Sequence, residues 1–211
     1  MKAAAISEFY RRLAEACPNP KGELVAGDPY TLLVAVVLSA QATDKSVNAA
    51  TQTLFQIADS PAKMIALGEE GLKRHIRTIG LFNTKAKNVI ALSKALLEKH
   101  GGRVPDDYEA LQALPGVGAK TAKVVRNVAF GAQVIAVDTH IFRVANRTGL
   151  APAKTPDQVS AKLEAITPEP YRKDAHHWLI LHGRYVCTAR APQCPQCVVR
   201  DLCRWKEKTP A

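Results

Sequence analysis

Apolar positions along the chain recur three and four residues apart, the period of helices that bury one face. Val89, Leu92 and Leu96, with Ala86, Ile90 and Leu97, form such a stripe. The opening MKAAAISEFYRRLAEA sets Glu8, Arg11, Arg12 and Glu15 among apolar residues and reads as an amphipathic helix rather than a signal peptide. A polar cap followed by proline marks further helix starts at Asp28–Pro29, Ser60–Pro61 and Thr155–Pro156. Only 134–137 could pass for a strand, so the predicted class is all-α. The longest apolar run, Leu32 to Leu38, is far short of the roughly 20 residues that span a bilayer, so a soluble, cytoplasmic protein with no membrane partner is expected.

Composition narrows the class of partner. Among 211 residues, 29 basic and 19 acidic side chains leave a formal charge of +10, which favours a polyanion. Four of the five cysteines crowd into residues 187 to 203, while Cys17 stands apart and reads as an ordinary thiol. Clustering of this kind suggests thiolates around a metal rather than a disulfide framework. Six, two and five residues separate Cys187, Cys194, Cys197 and Cys203. Such a set suits tetrahedral zinc or a [4Fe-4S] cluster, although zinc ribbons usually pair two CxxC units and only one is present.

The segment LQALPGVGAKTAK at 111–123 carries the most specific chemistry. Gly116 and Gly118 bracket Val117 after Pro115, permitting a tight turn whose amides no side chain covers. A helix starting there adds its unpaired N–H groups and its positive end, making a grip for phosphate that ignores base sequence. Lys120 and Lys123, read as lying in the first turn, oppose the helix dipole, a conflict that bound phosphate or a catalytic demand resolves. A plain helix-to-helix turn is the alternative. Asp138, before Thr139, has the position of a helix cap, and His140 beside it reads as a structural partner.

LPGVGAKTA resembles the helix-hairpin-helix element of the endonuclease III family of DNA glycosylases. SAQATD at 39–44, IGLFNTKA at 79–86, VDTHIFRVANR at 137–147, HGRYVC at 182–187 and the cysteine cluster match family blocks in order over nearly the whole chain. The resemblance implies two helical domains, residues 22–132 with the hairpin and residues 1–21 plus 133–211 with the cysteines, and DNA in a cleft between them. It implies Lys120 as nucleophile, Asp138 as catalytic carboxylate, Gln41 as the plug for the space left by an extruded base, and Leu81 as the wedge on the opposite strand. Pro115, Gly116, Val117, Gly118, Lys123 and Arg143 are the further DNA contacts, and Cys187, Cys194, Cys197 and Cys203 hold a [4Fe-4S] cluster. The expected protein is a monomeric, nucleoid-associated enzyme that removes oxidised pyrimidines from double-stranded DNA, forms a Lys Schiff base and cleaves the strand at the abasic site. The superfamily's adenine and pyrimidine-dimer glycosylases are alternatives, as is a non-catalytic DNA-binding protein. The adenine enzymes fit less well: they carry an acid in the helix before SAQATD, where this chain reads TLLVAVVLSA, and they lack the lysine.

Overall fold

Pro29 begins a helix because Asp28 accepts hydrogen bonds from the amides of Tyr30 and Thr31. That helix, Pro29–Leu38, is buried on every side from Tyr30 onward, as a helix apolar all round must be. In a computed structural model that describes residues 1–210, ten α-helices account for the fold and no strand occurs among the described residues. They are α1 (Ala3–Ala16), α2 (Pro29–Leu38), α3 (Asp44–Ile57), α4 (Pro61–Ile76), α5 (Phe82–His100), α6 (Tyr108–Gln112), α7 (Ala119–Phe130), α8 (Thr139–Thr148), α9 (Pro156–Ile166) and α10 (Ala175–Tyr185). Ser60 and Thr155 cap α4 and α9 through their hydroxyls, with proline at the first helical position of each. Residues 134–137 belong to no strand.

The chain divides into two compact units, residues 22–131 and residues 1–21 with 132–211. In the first, α2 is the central rod, packed by α3, α5 and α7, while α4 lies along α5. Leu33, Val34, Leu38, Leu54, Met64, Leu72, Val89, Leu92 and Leu96 close its core. Leu97 departs from the expected stripe and is 42% exposed. The chain turns back at Gly102, where φ is +77° and an added Cβ would come within 3.2 Å of Leu97, so the leucine covers the turn instead of entering the core. Because Leu33 is fully buried in the central rod, Leu33→Ala is expected to lower unfolding stability by about 2–5 kcal/mol, read by urea or thermal denaturation.

The second unit is built from both chain ends around Phe9, Tyr10, Leu13, Ile141, Val144, Leu163 and Leu179. Tyr10 stacks on Tyr171 at 5.9 Å and hydrogen-bonds Thr167 at 2.9 Å, which ties α1 to the chain after α9. Trp178 donates to the Cys17 carbonyl at 2.8 Å, and Arg12 pairs with Asp201 at 2.6 Å, drawing α1 onto α10 and the cysteine loop. No helix is long and apolar enough to cross a membrane among the described residues.

Candidate active site

The hairpin begins where α6 ends. Leu114 is buried, and its carbonyl accepts from the Val117 amide at 3.1 Å, closing the turn. Val117 is itself 6% exposed and anchors the turn in the core. The two glycines serve different ends. Gly116 has φ +78°, and a Cβ there would lie 2.9 Å from the Asn88 side chain on α5, so both backbone and space demand glycine. Gly118 has open space around its missing Cβ; its contribution is to cap α7 without covering the amides. The amides of residues 118 to 121 therefore have neither an intrahelical acceptor nor a cap side chain. Gly116→Val should cost about 1–3 kcal/mol of strain and weaken binding to undamaged duplex DNA, measured by fluorescence anisotropy.

Lys120 is exposed at the second residue of α7, beside those amides. Lys123 opens the second turn rather than lying in the first, because α7 starts at Ala119. The N-terminal end of α7 thus combines a bare hydrogen-bonding surface with a primary amine.

Gln41 and Leu81 share a property that no motif displays. They are the non-glycine residues with positive φ among those described, at 54° and 60°. A left-handed backbone costs such residues roughly 1–2 kcal/mol, a strain that proteins keep mainly at functional positions. Both side chains are exposed, Leu81 by 60%. Ile79 is nearly fully buried just before it, and the Leu81 carbonyl accepts from the Lys85 amide, so the loop is held while the side chain projects. Lys85 itself is a feature that sequence reading passed over. Its amine is buried without a hydrogen-bond partner and its pKa is lowered by that burial, and the signal was a lysine falling on the inward Ala86–Val89 face.

Asp138 caps α8, its Oδ1 accepting from the Ile141 amide at 2.8 Å. The first turn of α8 is wedged against α10: a Cβ on Gly183 would lie 2.8 Å from His140 Cβ, so only glycine permits this approach. Arg143, expected at DNA, is turned inward. It donates to the Gly183 carbonyl at 2.6 Å and the Cys187 carbonyl at 2.8 Å and contacts His140 Nδ1 at 3.2 Å. His140 is accordingly a structural partner. Gln41, Leu81, the hairpin and Lys120 belong to the unit of residues 22–131, while Asp138, Arg143 and the cysteines belong to the other.

The four clustered cysteines line one small cavity together with His182, Arg200 and Lys208. The four cysteines share one space, and four thiolates are a ligand set suited to a [4Fe-4S] cluster. Burial, then the neighbouring thiols, push the Cys197 pKa up to about 11. Thiols in this setting would lose their protons to solvent on binding a cationic metal centre, which stabilises the thiolates. The cations Arg200 and Lys208 offset the negative charge of a four-thiolate cluster. Arg147 braces the loop by donating to the carbonyls of Thr188 at 2.7 Å and Ala189 at 2.8 Å, and its guanidinium lies 4.3 Å over Trp205. The residues present thus fit the cluster.

Comparison with known proteins agrees with this geometry. Residues 34–169 match the family of HhH-GPD superfamily base excision DNA repair proteins. Residues 187–203 match the iron-sulfur binding domain of endonuclease III, so the cofactor is a [4Fe-4S] cluster and not zinc. Endonuclease III of Escherichia coli strain K12 is 56% identical over 208 residues, 99% of each chain, and that of Treponema pallidum 54% over 203 residues, 96% of each. A solved structure of a trapped endonuclease III–DNA covalent intermediate superimposes with a TM-score of 0.90 at 43% identity, covering 97% of this chain and 96% of that one. The chain belongs to the endonuclease III family of base excision DNA repair enzymes, DNA glycosylases with lyase activity.

Proposed function

We propose that this enzyme removes oxidised pyrimidines from double-stranded DNA with Lys120 as nucleophile and then cleaves the strand 3′ to the abasic site. The observation that carries the reading is the placement of Lys120, an exposed amine one residue into a helix whose amides are bare and which directly follows the hairpin. Those amides and the turn of Pro115, Gly116, Val117 and Gly118 grip a backbone phosphate. The phosphate brings the deoxyribose within reach of Lys120, and Lys123 adds charge along the same helix. Gln41 fills the space left by the extruded base and Leu81 wedges the opposite strand, which offsets the few kcal/mol that extrusion costs. A solved neighbour at 43% identity was trapped as a covalent intermediate with DNA, as a nucleophilic amine requires.

The unprotonated Lys120 amine attacks C1′ of the damaged nucleotide, a C–N bond forms, and the bond from C1′ to the base breaks with its electrons leaving on the base. Asp138 stabilises the positive charge that develops on the sugar. Proton loss from the lysine nitrogen and opening of the ring give a Schiff base, which acidifies the C2′ proton. Loss of that proton expels the 3′ phosphate, and water then releases the enzyme. When bound, the cluster on Cys187, Cys194, Cys197 and Cys203 would supply a rigid core for the loop that presents Arg190. Arg143 holds that loop to α8 and acts on DNA indirectly. The reading takes the enzyme as a monomer acting on nucleoid DNA in the cytoplasm.

Incubation with duplex DNA carrying an oxidised pyrimidine, in the presence of borohydride, is expected to leave enzyme and DNA covalently joined. Duplexes carrying a pyrimidine dimer or an adenine mispair should not be trapped. Absence of the joined product on the oxidised pyrimidine overturns the proposal.

A further inference from the structure

A buried extended segment needs hydrogen-bond partners that a neighbouring strand would supply and helices ordinarily do not. Residues 135–137 are such a stretch: just after the turn that the Val134 amide closes on the Ala132 carbonyl, no helix or strand includes them, yet Ile135, Ala136 and Val137 are 1%, 0% and 9% exposed. At Ile135 the partners come from one face of α9. The Ile135 amide donates to Glu164 Oε1 at 3.0 Å, and the Ile135 carbonyl accepts from Ser160 Oγ at 2.8 Å. Ser160 and Glu164 are one helical turn apart and stand 3.1 Å from each other, so they act as a single clamp. Two side chains thereby reproduce the pair of bonds that a partner strand makes to one residue.

The clamp lies three residues before Asp138. On the far side of Asp138, α8 is held by the close approach of Gly183 to His140 and by the inward hydrogen bonds of Arg143. Gly183 and Arg143 hold α8, while the clamp on Ile135, together with the burial of Ile135 and Val137 in the core, holds the chain that enters it. A carboxylate that stabilises charge on a sugar must be held to within about 0.5 Å. We infer that Glu164 and Ser160 are positioning residues for Asp138, setting its carboxylate through the backbone of residues 135–138. The inference rests on the role given to Asp138 above.

The test measures single-turnover excision from preformed enzyme–DNA complexes of the cluster-loaded protein, with DNA affinity and thermal unfolding alongside. Glu164→Leu removes the acceptor, and its excision rate should fall by roughly 10- to 100-fold with affinity changed less than about twofold, the scale of a misplacement near 1 Å. Glu164→Gln keeps an acceptor oxygen and should recover most of that loss. Ser160→Ala should slow excision by about three- to tenfold, as expected when one of two bonds to Ile135 is lost. In an Asp138→Asn background neither change should slow excision further, since the group they position is gone.

A Glu164→Leu protein that unfolds at lower temperature but excises at the normal rate per folded molecule overturns the inference and leaves the role of Asp138 intact. An Asp138→Asn enzyme of normal activity overturns the role of Asp138 itself. If Glu164→Leu does not fold, Ser160→Ala decides: a normal rate overturns the inference, and a slowed rate that vanishes in the Asp138→Asn background supports it.

Discussion

Lys120→Gln is expected to abolish borohydride trapping and to lower single-turnover base excision by about 10³-fold or more, the scale on which enzymes lose activity when a covalent nucleophile is removed. Glutamine keeps the polarity of the side chain, at one atom less in length, but has no basic nitrogen, so no Schiff base forms. Affinity for duplex DNA should change only a few-fold, because the phosphate grip is made by the amides that follow Gly118 and not by this amine. Stability should move the other way. A cation at the second residue of α7 opposes the helix dipole, so its removal is expected to stabilise the unit of residues 22–131 by about 0.3–1 kcal/mol. Thermal unfolding checks that sign. A variant that loses activity because it misfolds cannot show a raised transition temperature together with intact DNA binding. Trapping by Lys120→Gln at the normal level would transfer the nucleophile to another amine.

What could be read from the sequence was whatever residue type and near neighbours decide. The caps at Asp28, Ser60, Thr155 and Asp138 each accept from an amide two or three residues on, so a local pattern suffices to find them. Gly116 is legible for the same reason. Its second constraint, the approach to Asn88, depends on a residue 28 positions earlier and is not. The left-handed backbone of Gln41 and Leu81 is likewise invisible, because nothing in either side chain favours it. Arg143, which the resemblance implies as a DNA contact, has further partners that the sequence does not show: the carbonyls of Gly183 and Cys187, some 40 residues away, accept from its guanidinium. The clamp on Ile135 escaped for that reason too: a serine and a glutamate one turn apart on a helix normally face solvent. Leu97 was misplaced because the turn at Gly102 takes it, and periodicity carries no information about turns.

Asp138→Asn should separate capping from chemistry. The Asp138 oxygen that accepts from the Ile141 amide at 2.8 Å has a counterpart in the asparagine carbonyl, and the two residues are nearly equal as helix caps. The transition temperature should therefore stay close to that of the parent, whereas Asp138→Ala loses the cap and about 1 kcal/mol. Excision should fall in both variants by on the order of 10²- to 10³-fold, because a neutral amide does not offset the charge that develops on the sugar as the base departs. Borohydride trapping at a preformed abasic site makes a smaller demand. The base has already gone, the sugar presents an aldehyde, and Lys120 forms the Schiff base without breaking a glycosidic bond. Trapping there should consequently decline less than excision from an oxidised pyrimidine. Equal losses at the two substrates would mean that Asp138 acts mainly on the proton of Lys120, and no loss at either would leave Asp138 as a helix cap alone.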